Sequence, residues 1–402
     1  MNRYNVLYVS MLMSDKTMNE ADNSSLRYNY AAQSFHRLIK KGLQKIDLSS
    51  LTFLSGVYYN SEKIKLNISD QTEERSIFQY IGYNKFFRGG ARLLGCSIKV
   101  LRWIKNNKEK PVIIVDPLLL FLLIPCAFLK KIFKIPMFII VTDLIFSYYK
   151  TNKNRGIKRL YAYLCNRLFF WGCGLADGQI LLTQQMNDVI NTHRVPSIII
   201  EGLVEIDNYE KKPMPNEFRR IIMYAGGIYE KYGVKDLLSA FIMANFENNI
   251  ELNFYGYGDY IGEIRKAEKD HSNIKYCGMK PNKEILRKEK EATLLVNPRK
   301  AEHDFTRYSF PSKNLEYLTS GTPLLASMLP GIPDEYCSYI YTLNSNSVED
   351  LCQSLKKILS KSDEELIDFG LRAKKYVVEN KNYIVQVNKI YNFIDMVCSC
   401  NK

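Results

Sequence analysis

The sequence has no CxxC pair among its nine cysteines, whose number is odd and whose spacing is scattered. A disulfide framework and a zinc cage are thereby excluded, and reduced thiols in a cytosolic compartment are expected. Its four histidines, His36, His193, His271 and His303, stand far apart and form no metal pattern. It also lacks an uncharged run long enough to span a bilayer. Pro117 to Leu129 carries no charge, but Lys130, Lys131 and Lys134 follow, and Pro125 and Pro136 interrupt it. That stretch falls short of the roughly 18 residues a spanning helix needs, and it reads as a buried helix followed by a buried strand. The N-terminus, MNRYNVLYVS, has too short an apolar core for a signal peptide and reads as a first strand. Neither an internal repeat nor a low-complexity tract is present.

The 402 residues suffice for two or three domains. With 46% hydrophobic and 24% charged residues the composition is that of a globular chain, which excludes wholesale disorder, fibrous repeats and a multi-span membrane protein. The charge is unevenly spread. The net charge is +14, and residues 81–175 hold 17 lysines and arginines against three acids, so the rest of the chain is neutral. A surface concentrated in cations calls for an anionic partner, either nucleic acid or anionic lipid.

Apolar, β-branched runs alternate with segments of helical period. In the first half, strands are predicted at Asn5–Val9, Leu51–Leu54, Val112–Val115, Met137–Thr142, Gln179–Leu182 and Ser197–Ile200, with helices near 29–46, 89–107, 157–171 and 184–193. Apolar strands separated by helices indicate a parallel sheet covered on both faces, a doubly wound α/β domain. Residues 206–220 are polar, hold two prolines and show no period, and read as a linker. A second alternation follows, with strands at Ile221–Tyr224, Glu251–Tyr255, Ile274–Cys277, Ala292–Val296, Pro323–Ala326 and Tyr339–Tyr341. The expected organisation is α/β with two tandem Rossmann-like domains, 1–205 and 221–382, the C-terminal helix 383–402 joining the first. A ligand cleft is expected where the carboxyl ends of the two sets of strands meet.

The stretch 292–336 carries the most chemistry. A buried strand ends in Asn297-Pro298-Arg299, and after a loop a helix starts near Pro311-Ser312. Proline suits the first turn of a helix and serine offers a hydroxyl there. Free N–H groups at such a start attract phosphate, and Lys313 adds charge. Glu316 lies four residues beyond Ser312, on the same face, where a carboxylate can accept hydrogen bonds from a ribose diol. Taken alone, these residues equally fit a cap followed by a solvated helix face.

Residues 310–336 contain FPSKxxEYxxxGxPLLxxxxPGIPxEY. This stretch resembles the C-terminal donor site of GT-B glycosyltransferases, in particular the large retaining family four, and within it the branch that assembles bacterial capsule, O-antigen or exopolysaccharide units. Three further stretches resemble the family in its order: YAGGIYEKYGVKDLLSAF at Tyr224–Phe241, LNFYGYGD at Leu252–Asp259, and IKYCGMKP at Ile274–Pro281. The resemblance implies a donor site built from Gly226, Gly227, Tyr255, Gly256, Gly258, Cys277, Asn297, Tyr308, Phe310, Pro311, Ser312, Lys313 and Glu316. It implies Lys231, Arg299 and Asp143 as catalytic residues. Glu316 would hold the ribose, and the helix start at Ser312–Lys313 the diphosphate. Two positions depart from the family pattern: Gly227 stands where an arginine is usual, and Tyr308 where the first of two paired glutamates is usual. Lys231, Arg299, Arg307 and Lys313 are the cations available in compensation. His303 is a further acceptor-side base candidate, though a loop histidine is usually surface.

The first half matches more weakly. Ala31–Leu43 resembles the first helix of that branch, and Asp143 follows a strand where relatives place a polar residue facing the sugars. Asp143 is also a natural helix cap. Two amphipathic helices are predicted in the basic window. Arg88, Arg92, Lys99, Arg102 and Lys105 flank the stripe Leu94, Ile98, Leu101 and Ile104; Lys158, Arg159 and Arg167 flank Ile157, Leu160, Leu164, Leu168 and Trp171. Each stripe can pack on its own sheet, yet the cations must face something. No nucleic-acid module is recognisable, so an anionic bilayer is the better match.

The expectation is therefore a retaining transferase at the inner face of the cell membrane. It would move a sugar from a nucleotide-sugar, UDP being the commonest donor in the family, to a lipid-linked oligosaccharide acceptor. No DxD pair is present to hold a metal against the diphosphate, so no cofactor and no metal are expected, and no nucleic acid partner. Two alternatives share the architecture: a nucleotide-sugar 2-epimerase, which needs acid and base side chains in the cleft, and a non-catalytic membrane partner, which would not bind nucleotide.

Overall fold

The computed structural model describes residues 2–23, 30–56, 71–73, 76–81, 90–144, 157–206, 219–299, 304–343, 345 and 347–400. His303, Arg88 and most of the predicted linker lie outside the described residues. The chain divides into two compact units, Met1–Leu203 with Tyr383–Lys402, and Val204–Asn382.

Among the described residues the first unit holds eight strands: β1 (Asn5–Ser10), β2 (Ser50–Ser55), β3 (Gln71–Glu73), β4 (Ser76–Tyr80), β5 (Pro111–Val115), β6 (Met137–Val141), β7 (Gly178–Leu181) and β8 (Ser197–Ile199). Their order across the sheet is β3-β4-β2-β1-β5-β6-β7-β8, all parallel except β3 against β4. Helices α1 (Asp15–Asn23), α2 (Tyr30–Lys45), α3 (Gly90–Asn106), α4 (Leu120–Phe133), α5 (Ile157–Gly174) and α6 (Gln184–Ile190) connect the strands. Helix α2 and the final helix, Tyr383–Cys400, cover one face. Leu38, Ile39, Val387, Ile390 and Ile394 bury there against Val6, Phe53, Val112 and Phe138. Inward side chains on both faces explain why these strands are almost uninterrupted apolar runs. Helices α3, α4 and α5 pack side by side.

Here the structure corrects one expectation. Helix α4 is only half buried. Leu122, Leu123, Cys126 and Ala127 face inward, but Phe128, Ile132 and Phe133 are exposed. A helix lying on a sheet has one covered stripe, so its outer apolar residues stay in solvent however apolar the sequence is.

Among the described residues the second unit has six parallel strands: β9 (Arg220–Gly227), β10 (Ile250–Tyr257), β11 (Ile274–Gly278), β12 (Leu294–Asn297), β13 (Leu324–Ser327) and β14 (Tyr341–Leu343), in the order β11-β10-β9-β12-β13-β14. Helices α7 (Val234–Ala244), α8 (Ile261–Asp270), α9 (Asn282–Glu291), α10 (Ser312–Ser320), α11 (Val348–Leu359) and α12 (Asp363–Asn380) wrap it on two sides. The chain runs outward from β9 to β11, then returns to β12 on the other side. The crevice between the carboxyl ends of β9 and β12 is thus a topological switch point, where open parallel sheets bind ligands.

Candidate active site

The switch point is opened by its own strand pairing. β12 pairs with β9 only at Leu294–Ile222 and Leu295–Met223, and then diverges. The next backbone groups of β9 would be left buried and unpaired. Tyr317 on α10 supplies the missing partner: its hydroxyl donates to Ala225 O at 3.0 Å and accepts from Ala225 N at 2.8 Å. Helix α10 is thereby fixed to the strand that ends in Gly226 and Gly227.

Two glycines let backbones meet here. Gly256 has φ +133°, and a Cβ on it would lie 1.8 Å from Gly226 O. Gly233 has φ +79°, and its Cβ would lie 2.0 Å from Pro298 O. No L side chain fits either place. The second contact draws the loop after β9 onto the loop after β12, and so draws Lys231 toward Arg299.

Lys231 sits in a 3-10 turn, Glu230–Tyr232. Its Nζ is 5.2 Å from the ring centre of Tyr232 and 5.5 Å from that of Tyr229. The guanidinium of Arg299 lies 4.6 Å from the ring centre of Tyr232. Two cations thus share one aromatic platform. Neither has a carboxylate partner among the described residues, and Arg299 Nε is buried without a hydrogen bond. Tyr229 and Tyr232 also fill the space at Gly227, whose Cβ would sit 2.9 Å from Tyr229 Cδ2 and 3.0 Å from Tyr232 Cε2. This accounts for glycine where the family pattern has arginine. The YEKY sequence around Lys231 was the signal available for this platform, and the flanking tyrosines were passed over.

Helix α10 starts at Ser312 with Pro311 at the cap position and no side-chain hydrogen bond capping it. Ser312 is exposed at the first helical position. Lys313 does not stand free. Its ammonium pairs with Glu316 and lies 3.2 Å from Glu289 Oε1. Burial works against its charge, but the two carboxylates prevail and hold its pKa above the usual lysine value. Asn297, at the end of β12, donates from Nδ2 to Asn314 Oδ1 at 2.6 Å, tying that strand to α10.

The remaining predicted residues fall in three groups. Gly258 is beside Ile228 O, 1.8 Å from where its Cβ would lie, next to the glycine turn. Tyr255 and Cys277 are in side-chain contact at the ends of β10 and β11, and burial raises the pKa of both. Tyr255 is buried in the core with Met223 and Ile285. Phe310 is likewise a core residue, its ring centre 5.4 Å from that of Tyr336. Tyr308 is half-buried at the end of a 3-10 turn, Asp304–Tyr308. Asp143 belongs to the first unit, at the carboxyl end of β6, where its Oδ1 accepts from Leu144 N at 2.7 Å.

The first unit's own switch point, between β1 and β5, holds a buried chain that sequence reasoning did not find. Tyr8 OH lies 2.6 Å from His36 Nδ1, and His36 Nε2 lies 2.9 Å from Asp116 Oδ2. Burial, with the Asp116 charge adding to it, raises the Tyr8 pKa. Each ring nitrogen of His36 thus has one partner, Tyr8 at Nδ1 and Asp116 at Nε2. The three residues lie far apart in sequence and only the fold joins them. Among the described residues, no group of three or more His, Cys, Asp and Glu side chains is placed to hold a metal ion.

Residues 219–361 match the family model of Glycosyl transferases group 1. The match lies within the second unit. No curated protein matches the chain in sequence. Among solved structures, sucrose-phosphate synthase from Thermosynechococcus elongatus is similar at a TM-score of 0.67 and 12% identity, over 98% of this chain and 100% of that one. An Anabaena protein, HepE in complex with UDP, is similar at 0.63 and 10%, over 98% and 100%. The lipopolysaccharide outer core galactosyltransferase WaaB is similar at 0.59 and 14%, over 98% and 99%. These likenesses establish the fold: two Rossmann-like units with parallel sheets, as in GT-B glycosyltransferases.

Proposed function

We propose that the second unit is a glycosyltransferase domain that binds a nucleotide-sugar at the β9–β12 switch point, and that the chain transfers the sugar, with retention, to a lipid-linked glycan in surface polysaccharide synthesis. The observation that carries the reading is the convergence of Lys231 and Arg299 on the Tyr232 ring with no counter-ion among the described residues. Cations left unpaired at a switch point suit a diphosphate. The diphosphate is the leaving group, so these cations stabilise charge that grows as the bond to the sugar breaks. The open first turn of α10 adds N–H groups. Glu316 is the group for the ribose diol, because Lys313 engages Oε1 and leaves the second oxygen to accept. This chemistry calls for no metal. UDP is the first donor nucleotide to try, since the similar Anabaena structure holds it.

The acceptor side rests on the surface of the first unit. Phe128, Ile132 and Phe133 on α4, and Leu160, Leu164, Leu168 and Trp171 on α5, are exposed on adjacent helices. Leu94 and Ile98 on α3 are exposed too. Lys131, Lys134, Arg159 and Arg167 lie on or beside these helices. No helix among the described residues is long and apolar enough to cross a membrane. Apolar side chains rimmed by cations favour shallow, peripheral seating on an anionic bilayer, with a lipid-linked substrate.

The test is transfer to a polyprenyl-diphosphate glycan embedded in vesicles, with a panel of nucleotide-sugars. Transfer is expected with one donor, faster in phosphatidylglycerol-rich vesicles than in neutral ones. Equal rates on both would remove the membrane reading, and no transfer from any donor would remove the transferase reading.

A further inference from the structure

Glu289 is placed unlike the charged residues around it. On α9, Arg287 and Lys288 both pair with Glu291 at the surface. Glu289 instead points inward and is fully buried. Among the described residues no backbone N–H and no hydroxyl donates to either of its carboxylate oxygens. The nearest counter-ion is Lys313 Nζ, 3.2 Å from Oε1, and that ammonium is shared with Glu316. Burying a carboxylate with one shared lysine costs more than an apolar side chain of similar volume would. The core beside it, with Ile285, Leu315 and Leu318, would accept such a side chain. The carboxylate therefore serves Lys313 and Glu316 rather than packing.

We propose that Glu289 is a positioning residue of the nucleotide site: through Lys313 it fixes the carboxylate of Glu316, and its own ionisation sets the charge presented to an anionic ligand. This rests on the reading of Glu316 as a ligand group. The groups facing Glu289 are Lys313, Glu316 and Tyr317, all from α10. Strand β9, also packed on α9, turns Ile221, Met223 and Ala225 to that side, none of them titratable.

Desolvation pushes the Glu289 carboxyl up to about 8, Lys313 opposing the rise and Glu316 adding to it. At neutral pH the group is thus mostly protonated, and Lys313 balances Glu316 alone. Above that pKa a second carboxylate ionises and the trio carries a net negative charge. A diphosphate bound beside it is then repelled.

Calorimetric titration of UDP from about pH 7 to about pH 9 tests this. For the wild type, affinity is expected to fall several-fold, centred near the Glu289 pKa. Glu289→Gln, neutral and of the same shape, is expected to keep the low-pH affinity and lose that fall. The variant retains every other titrating group, so the ligand's own ionisation cancels in the comparison. Glu289→Ala releases Lys313 and is expected to weaken binding several-fold throughout. An unchanged pH profile in the Gln variant, or wild-type affinity in a folded Ala variant, overturns the assignment. If the Ala variant does not fold, the Gln profile decides. A folded wild type that binds none of UDP, GDP, CDP and ADP takes down the nucleotide-site reading and this assignment together. Loss of the pH effect alone leaves that reading standing.

Discussion

At the scale of the residue, the site is set by what fills the place of a missing arginine. Gly227 leaves room that Tyr229 and Tyr232 occupy, and those rings carry Lys231 and Arg299. Gly227→Ala would put a methyl group 2.9 Å from one ring and 3.0 Å from the other. The rings must move, at a cost of about 1–3 kcal/mol as for other overpacked sites, and the cations move with them. Chemical denaturation should show that loss, and calorimetry a weaker affinity for nucleoside diphosphate. Unchanged stability and affinity would mean that the platform does not position the cations. The cations themselves were legible, since Lys231 and Arg299 stand at the ends of apolar strands. Glu289 was not: in the run Arg287–Glu291 it reads as one more solvated charge, and only the helix phase relative to the core shows that it turns inward.

At the scale of the element, α10 is held by one hydroxyl and one amide. Tyr317 closes the gap that β12 leaves beside Ala225, and Asn314 binds Asn297. Tyr317→Phe keeps the ring and its packing but leaves Ala225 N–H and C=O without their partner. The expected loss is about 1–3 kcal/mol of unfolding free energy, the cost of a buried unsatisfied pair, measured from the denaturant midpoint. A variant as stable as the wild type would show that water or another group satisfies Ala225. The central parallel strands were readable because they are apolar on both faces. Strands β3 and β4 were missed: β4, Ser76–Tyr80, alternates polar and apolar residues near the sheet edge, and β3 has three residues. Helix α1, DKTMNEADN, was missed because its residues are mostly polar. Strand β14 starts two residues later than predicted, since the Tyr339 N–H closes the 3-10 turn Asp334–Ser338 by donating to Tyr336 O.

At the scale of the whole molecule, the two units divide the chemistry. The excess positive charge belongs to the first, and the loops that bring Lys231 and Arg299 together at a switch point to the second. The charge asymmetry was plain in the sequence, because seventeen cations against three acids cannot be an accident of overall composition. Which side chains stay exposed was not, since an amphipathic stripe looks the same whether it packs on a sheet or meets a bilayer. The Tyr8–His36–Asp116 chain was equally hidden, its members brought together by three separate elements.

The carboxyl ends of β9 and β12, with α10, are proposed to form a nucleotide site. The most direct measurement is calorimetric titration of the protein with UDP, GDP, CDP and ADP, repeated on Glu316→Ala. The account predicts that one nucleotide binds, and that the variant binds it about ten-fold or more weakly, the loss of a hydrogen bond to a charged group. A folded protein that binds none of the four, or a variant that binds as well as the wild type, would contradict it.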